Sequence, residues 1–156
     1  MINQQELNLL IEAASTWIEE QEAYILENGT PLHQAIIDNA QNLLPIKDIK
    51  NVRVMVVDKI PLPTNDILRN AMTQFGFIGE NSNGIAFGLS CRYGIFLNTS
   101  SRDNTKILIH ELTHTMQYER AGGIRPFLRQ YIQECIEPGY PLGSLEQEAI
   151  NVCNKV

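Results

Sequence analysis

The chain has 156 residues, a formal net charge of −6 and an isoelectric point near 5.0. That length suits one domain that buries its own core, and 44% hydrophobic with 19% charged residues excludes intrinsic disorder. The acidic balance, without a dense Lys/Arg run, predicts no nucleic-acid partner. The 3 cysteines match no C-x-x-C spacing, which excludes a disulfide framework and a cysteine-based metal or redox motif.

The N-terminal segment carries no sign of targeting. Residues 1–6 lack a basic region, and Glu12, Glu19 and Glu20 interrupt the first apolar stretch. No window approaches the roughly 18 consecutive apolar residues of a membrane span. The sequence therefore predicts a cytoplasmic protein with no membrane partner, although secretion without a cleaved signal would leave no trace.

Two helices are predicted at the start of the chain. Apolar residues recur at three- and four-residue spacing over Gln4–Glu27, which indicates one long amphipathic helix. Thr30 is typical of an N-cap, and Pro31 of a first helical residue, for a second helix that ends near Leu44. We interpret Trp17 as a core anchor for this helix pair.

The middle of the chain alternates strands with a short helix. Residues 51–60 are dense in β-branched side chains and predict a strand. A helix is expected over 66–75, followed by a turn-rich loop over 79–84. The segments 85–90 and 93–98 predict two strands of a tight hairpin.

Helical periodicity returns after residue 104. A helix is predicted from Asn104 to Tyr118, ended by two glycines, and another over Pro126–Glu137. The segment Pro138–Gly143 is expected to be a loop, and Ser144 to cap a last short helix through Val152.

These elements predict one α+β domain over residues 1–156. Residues 1–49 form an N-terminal helical pair, and residues 50–156 form a small mixed or antiparallel sheet packed on the helix that starts at Asn104. Two further helices follow at the C-terminal end. No internal repeat or linker divides the chain.

The clearest chemistry lies in the stretch HELTH at residues 110–114, inside a predicted helix. His110 and His114 are four residues apart, so both imidazoles lie on one helix face and can reach one metal ion. Neutral imidazole is a good ligand for Zn²⁺. Glu111 lies about 100° round the helix from His110, where its carboxylate can accept a proton from zinc-activated water as a general base.

Coincidence is the alternative to a metal site, because three fixed positions also occur by chance. Two observations favour the site. The motif lies on a helix, which is the context it needs, and 2 of the chain's 3 histidines are in it. The third, His33, lies far away on a predicted amphipathic helix, where we interpret it as a surface or core histidine.

A catalytic zinc site needs a third protein ligand and an open position. The pattern H-E-x-x-H-x-x-G-x-x-H is absent, which leaves a downstream carboxylate. The candidates from the residues alone are Glu119, Glu134, Glu137, Glu146 and Glu148. Glu119 follows His114 by about one turn on a side that does not converge, and Glu134 and Glu137 can equally be solvated helix charges.

The stretch from His110 to Ala149 resembles the gluzincins, zincin metallopeptidases whose third ligand is a glutamate on a later helix. Its closing letters, EQEA, resemble the E-x-x-A element of relatives such as the membrane-bound prenyl-protein endopeptidases. The resemblance implies a zincin-like fold, Zn²⁺ bound by His110, His114 and Glu146, and a small Ala149 where two helices approach. The alternative for Glu146 is an ordinary first-turn glutamate after a Ser144 cap.

The same resemblance implies roles outside the ligand set. In zincins an edge strand two elements before the active helix pairs with an extended substrate. The segment 85–90 is in that place, with 93–98 as its inner neighbour. An oxyanion also needs a donor; Tyr140 is the best-placed residue, with Arg125 and Tyr118 as others. Packing of its own loop is the alternative role for Tyr140.

The sequence thus predicts a soluble zinc-dependent metallopeptidase that hydrolyses bonds of a peptide or protein substrate. The aminopeptidase pattern G-x-M-E-N and flanking membrane spans are absent, so neither free N-termini nor prenylated proteins are implied as substrates. One alternative is a non-catalytic zincin-fold module that keeps the metal, and another is an α+β interaction domain with an accidental motif. Glu111 favours the enzyme, because a structural metal site has no use for a general base.

Overall fold

A computed structural model describes residues 2–78 and 87–156 of the chain. The predicted loop over 79–84 and the first two residues of the strand over 85–90 lie outside these ranges. None of the helices in the two ranges has the length and hydrophobicity of a membrane span. The main elements are α1 (Gln4–Asn28), β1 (Thr30–Pro31), α2 (Gln34–Leu43), β2 (Arg53–Val57), α3 (Asp66–Phe75), β3 (Gly88–Cys91), β4 (Gly94–Asn98), α4 (Thr105–Ala121), α5 (Ile124–Glu134) and α6 (Ser144–Cys153).

These elements confirm the α+β class. The four described strands form one mixed sheet in the order β1-β2-β4-β3. β2 and β4 run parallel, whereas the β1–β2 and β3–β4 pairs are antiparallel. β3 and β4 form the expected hairpin, and among the described strands β3 lies at the edge of the sheet and β4 inside it.

Both faces of β4 are covered by helices. Phe96 is buried in a cluster with α1, α3 and α5. Its neighbours Ile95 and Leu97 point to the other face, where they pack with α2 and the Leu112 face of α4. The two N-terminal helices therefore belong to different core clusters, which differs from the predicted pairing of α1 with α2. Trp17 is half-buried at the border of the first cluster.

The predicted start of the second helix is wrong. Thr30 and Pro31 form β1, in which Thr30 pairs with Val54. A proline is tolerated there because β1 is an edge strand. α2 begins only at Gln34, and the exposed His33 occupies its N-cap position. The local cap signal was overridden by pairing with a strand more than twenty residues away.

The C-terminal boundaries also differ from the predicted ones. α5 starts at Ile124 and ends at Glu134. An irregular turn over Cys135–Gly139, in which the backbone of Glu137 is extended, replaces the end of the predicted helix and the start of the predicted loop. Ser144 is the first residue of α6 and not its cap. The carboxylate of Glu134 caps the helix instead, accepting hydrogen bonds from Ser144 Oγ at 2.7 Å and from Leu145 N at 3.0 Å.

Candidate metal centre

α4 holds the two histidines of the motif on one face. The side chain of Asn104 caps the helix by accepting a hydrogen bond from Ile107 N. The opposite face buries apolar residues against the sheet, so the His110–His114 face is turned toward α5 and α6. The two imidazole rings lie edge to face with centroids 5.0 Å apart. Their i, i+4 spacing therefore brings both to one point, as expected.

Glu146 of α6 converges on the same point. Its Oε1 lies 2.7 Å from His110 Nε2, and its Oε2 lies 3.2 Å from His114 Nε2. Ligand atoms of His110, His114 and Glu146 all lie within 4.8 Å of one another and could hold a metal ion. We refer to these three residues as the metal group. Ala149, whose side chain is completely buried, lies one turn further along α6.

The donor atoms fit a metal ion. A tetrahedral ion with bonds of about 2.1 Å has ligand atoms roughly 3.4 Å apart. The 3.2 Å between Glu146 Oε2 and His114 Nε2 is close to that spacing, whereas the 2.7 Å between Glu146 Oε1 and His110 Nε2 is a direct hydrogen-bond distance that an ion would lengthen. Burial lowers the pKa of His114, but the hydrogen bond to Glu146, the charges of Glu111 and Glu146 and the hydrogen bond to Gln117 together outweigh burial and raise that pKa to about 9. The carboxylate pKa of Glu146 is held well below its ordinary value by the two histidines, although burial opposes this. The arrangement thus favours a positive charge between carboxylate and imidazoles.

Gln117 orients His114 from its other side. The Nδ1 atom of His114 lies 2.8 Å from Gln117 Oε1, an acceptor that places the ring proton on Nδ1 and leaves Nε2 a lone pair for a metal. Gln117 Nε2 in turn donates to Leu145 O and to Glu148 Oε1, both at 2.8 Å. Sequence reasoning missed this residue; its position one turn after the second histidine was the available signal.

Glu111 lies beside the metal group without belonging to it. Its side chain is buried, and the backbone amide of Ser90 hydrogen-bonds its carboxylate. A Cβ atom at Gly88 would lie 3.0 Å from Glu111 Cγ, so the glycine gives Glu111 its space. Burial raises the pKa of Glu111, and the two histidines partly oppose this shift. A buried carboxyl with a raised pKa is a suitable proton acceptor and donor near neutral pH.

Tyr131 of α5 is a second residue that sequence reasoning missed. Its hydroxyl donates a hydrogen bond of 2.8 Å to Glu146 Oε2. Burial, followed by the charge of Glu146, raises the Tyr131 pKa well above its usual range, so the hydroxyl stays protonated. Tyr131 and Phe127 lie on one face of α5, with ring centroids 5.5 Å apart. The four-residue spacing from Phe127 indicates that Tyr131 lies on the buried face of α5. The sequence does not show that its hydroxyl meets Glu146, because that contact depends on how α5 and α6 pack.

The other candidate carboxylates have different partners. Glu119 accepts hydrogen bonds from the backbone amides of residues 47 and 48 and from Tyr93. Glu134 caps α6, and the exposed Glu137 lies in the irregular turn after α5. Glu148 forms an ion pair with Arg120 and accepts from Gln117. Of the five, the structure brings Glu146 to the two histidines.

The three candidate oxyanion donors are in different surroundings. Burial, followed by the charges of Glu146 and Glu111, raises the pKa of Tyr140 to about 12. Its ring also packs on Phe77, with centroids 4.5 Å apart. The Tyr118 hydroxyl is buried and donates to Ser90 O at 3.3 Å. Arg125 forms an ion pair with Glu12 of α1 and does not line the cavity described next.

A cavity of about 510 Å³ adjoins the metal group. His110, His114, Glu146 and Glu111 line it on one side, and Tyr131 and Tyr140 also contribute. Much of the remaining wall comes from apolar residues of α1, α3 and α5. The metal group is therefore accessible from a pocket of the size that ligand sites typically have.

The edge strand β3 runs beside this cavity. Phe87 O accepts a hydrogen bond from Asn98 N, and the backbone groups of the strand then alternate in direction. Those of Ser90 point to α4, where its amide meets Glu111 and its carbonyl meets the Tyr118 hydroxyl. By the same alternation, the N–H and C=O of Gly88 point away from β4.

Comparison with models of protein families, with curated proteins and with solved structures finds no match for this chain.

Proposed function

We propose that this protein is a zinc-dependent metallopeptidase with a zincin-like fold of the gluzincin type. The observation that carries the proposal is the convergence of Glu146 with His110 and His114, while Glu111 lies beside this metal group and outside it. Two imidazoles and one carboxylate are the ligand set of many catalytic zinc sites, which keep a further position open. The donor set suits zinc better than the oxygen-preferring ions Mg²⁺ and Ca²⁺.

Each residue has a distinct role in the proposed hydrolysis. Bound zinc supplies a Lewis acid that brings the pKa of water to about 7. Glu111 accepts the proton of the attacking water and returns it to the leaving amine, which its raised pKa favours. Tyr131 holds Glu146 in position through its 2.8 Å hydrogen bond. Tyr140 is the proposed hydrogen-bond donor to the oxyanion, because it lines the cavity and keeps its proton.

A peptide substrate is proposed to extend the sheet at β3. Main-chain hydrogen bonds from an added strand give affinity without selecting side chains. The Gly88 backbone is oriented for this role, whereas the Ser90 backbone already contacts α4. Substrate pairing is therefore centred on Gly88, which also lies against Glu111. The sequence predicted that the whole strand over 85–90 pairs with substrate, whereas the proposed pairing uses the backbone of Gly88.

The proposal is tested by Glu111→Gln, which has nearly the shape of the carboxylate but does not accept a proton at neutral pH. We expect the variant to keep its fold and zinc and to lose about 10²–10⁴-fold in the rate of cleavage of a quenched fluorogenic peptide library. The matched control is Glu137→Gln, an exposed glutamate in the turn after α5. Full activity of Glu111→Gln would overturn the proposed base, and a zinc-loaded wild-type protein without any hydrolytic activity would favour the non-catalytic module.

A further inference from the structure

The cavity beside the metal group has a wall built by the N-terminal half of the chain. Leu10, Ala14 and Trp17 of α1 line it at spacings of four and three residues, so they form one helix face. Ala71 and Phe75 of α3 line it in the same way. These helices carry none of the metal-group residues, yet they shape the space next to it.

The lining of the cavity is predominantly apolar. In the described part of the chain, the charged side chains of the wall are the metal group, Glu111 and the exposed Lys106 on the first turn of α4. The rest of the wall is apolar or aromatic apart from a few neutral polar groups. Transferring an ion into such a space is unfavourable, whereas an apolar group gains from leaving water.

The cavity also has an apolar rim. Phe87 lines it although 58% of its surface is exposed, and it directly precedes Gly88 of the edge strand. Tyr140 lines it with 40% exposure. An aromatic rim therefore lies directly beside the Gly88 backbone and the metal group.

We infer that this cavity is a specificity pocket that binds a bulky, uncharged apolar side chain of the substrate, with Trp17 and the Ala71 face of α3 as its wall. The occupant is an aromatic or branched aliphatic residue adjacent to the cleaved bond. The cavity has a volume of about 510 Å³, within the range of ligand pockets, and so has ample room for such a side chain. The occupant is a side chain of a substrate only if the proposed peptidase function holds. The preference for an apolar group rests on the lining of the cavity alone.

Trp17 is the single tryptophan of the chain, so its fluorescence reports occupancy of the cavity without any need for catalysis. The probes are two blocked tripeptides, acetyl-Gly-Phe-Gly-amide and acetyl-Gly-Asp-Gly-amide, titrated into the full chain as purified and after chelation of metal. We expect a saturable change of Trp17 emission with the Phe peptide in both preparations, at least about ten-fold tighter than with the Asp peptide. Equal responses to the two peptides, or a response lost on chelation, would overturn the inference.

Two pairs of variants locate the binding. Ala71→Phe fills the cavity and should lower the affinity for the Phe peptide at least about ten-fold. Ala35→Phe, on the exposed face of α2, should leave that affinity unchanged. Phe87→Ala removes an exposed rim residue without disturbing the core and should weaken binding, whereas Leu142→Ala, also exposed but outside the lining, should not. If both cavity variants bind like wild type, the pocket is elsewhere. If the Phe peptide changes Trp17 emission as expected but the zinc-loaded protein hydrolyses no peptide, the proposed function is refuted and the pocket assignment stands.

Discussion

The Nδ1 atom of His114 lies 2.8 Å from Oε1 of Gln117, so the imidazole is held on one side by Gln117 while its Nε2 faces Glu146 on the other. Gln117 is itself fixed, because its amide donates to the Leu145 carbonyl at the start of α6. One buried side chain thus connects a histidine of α4 to the helix that carries the third ligand. The orientation of His114 is thus linked to the position of α6.

Replacing Gln117 should weaken metal binding. Gln117→Ala removes the acceptor that fixes the His114 ring, and loss of such a partner typically costs about 10- to 100-fold in metal affinity. The measurement is a zinc titration in competition with a chromogenic chelator, with circular dichroism to confirm the fold. Gln130→Ala is the control, because exposed Gln130 bonds only to Glu134 among the described contacts. Equal affinities of the two variants would contradict the orienting role.

Removing the cap of α6 should lower global stability. Glu134→Ala deletes the acceptor of the Ser144 hydroxyl and the Leu145 amide, and loss of a helix cap typically costs about 0.5–2 kcal/mol. Urea denaturation of metal-stripped protein measures the effect. Glu137→Ala, a neighbouring exposed glutamate, should change the free energy of unfolding much less. A Glu134→Ala protein as stable as wild type would show that α6 needs no side-chain cap.

Acid should destabilise the protein through Glu119. Burial raises the pKa of this carboxyl, but the Tyr93 hydroxyl and the amides of Lys47 and Asp48 outweigh burial and lower it. The unfolded chain then takes up a proton at a higher pH than the folded one, so this stabilisation is present above the ordinary carboxyl range and is lost as the pH falls through and below about 4.

The test compares urea midpoints of wild type and Glu119→Gln from neutral pH down to about pH 3, below the ordinary carboxyl range. The variant should be less stable at neutral pH and should lose less stability on acidification, because the amide does not titrate. Glu20→Gln, an exposed substitution on α1, should keep the wild-type pH profile. A Glu119→Gln profile parallel to that of wild type would contradict this origin of the acid sensitivity.

Elements with strong local signals were predictable from the sequence. α3 spans Asp66–Phe75 as expected, because the side chain of Asn65 caps it and Gly76 ends it in the left-handed conformation at φ 90°. The α1 bounds were also within one residue, since Asn3 and Glu6 form a capping box. β1 was missed because its formation depends on pairing with β2, which no local pattern reveals.

The site was predictable where a motif fixes it along one helix. His110, Glu111 and His114 follow from spacing, whereas the choice of Glu146 among five carboxylates needed the resemblance. In the structure the five glutamates differ in their tertiary partners; Glu148, for example, forms an ion pair with Arg120. Gln117, Tyr131 and the cavity-lining role of Trp17 depend on helices meeting in space, and so periodicity alone could place them only on inner faces.

Metal analysis of the full chain, purified without added zinc, tests the metal group itself. We predict about one zinc per chain in the wild type, loss of stoichiometric metal in His114→Ala, and strongly weakened binding in Glu146→Ala. Glu148→Ala should keep the metal, because Glu148 points to Arg120 and Gln117, and 35% of its side chain is exposed. A wild-type protein without zinc, a His114→Ala protein that retains it, or equal losses in Glu146→Ala and Glu148→Ala would contradict the assignment.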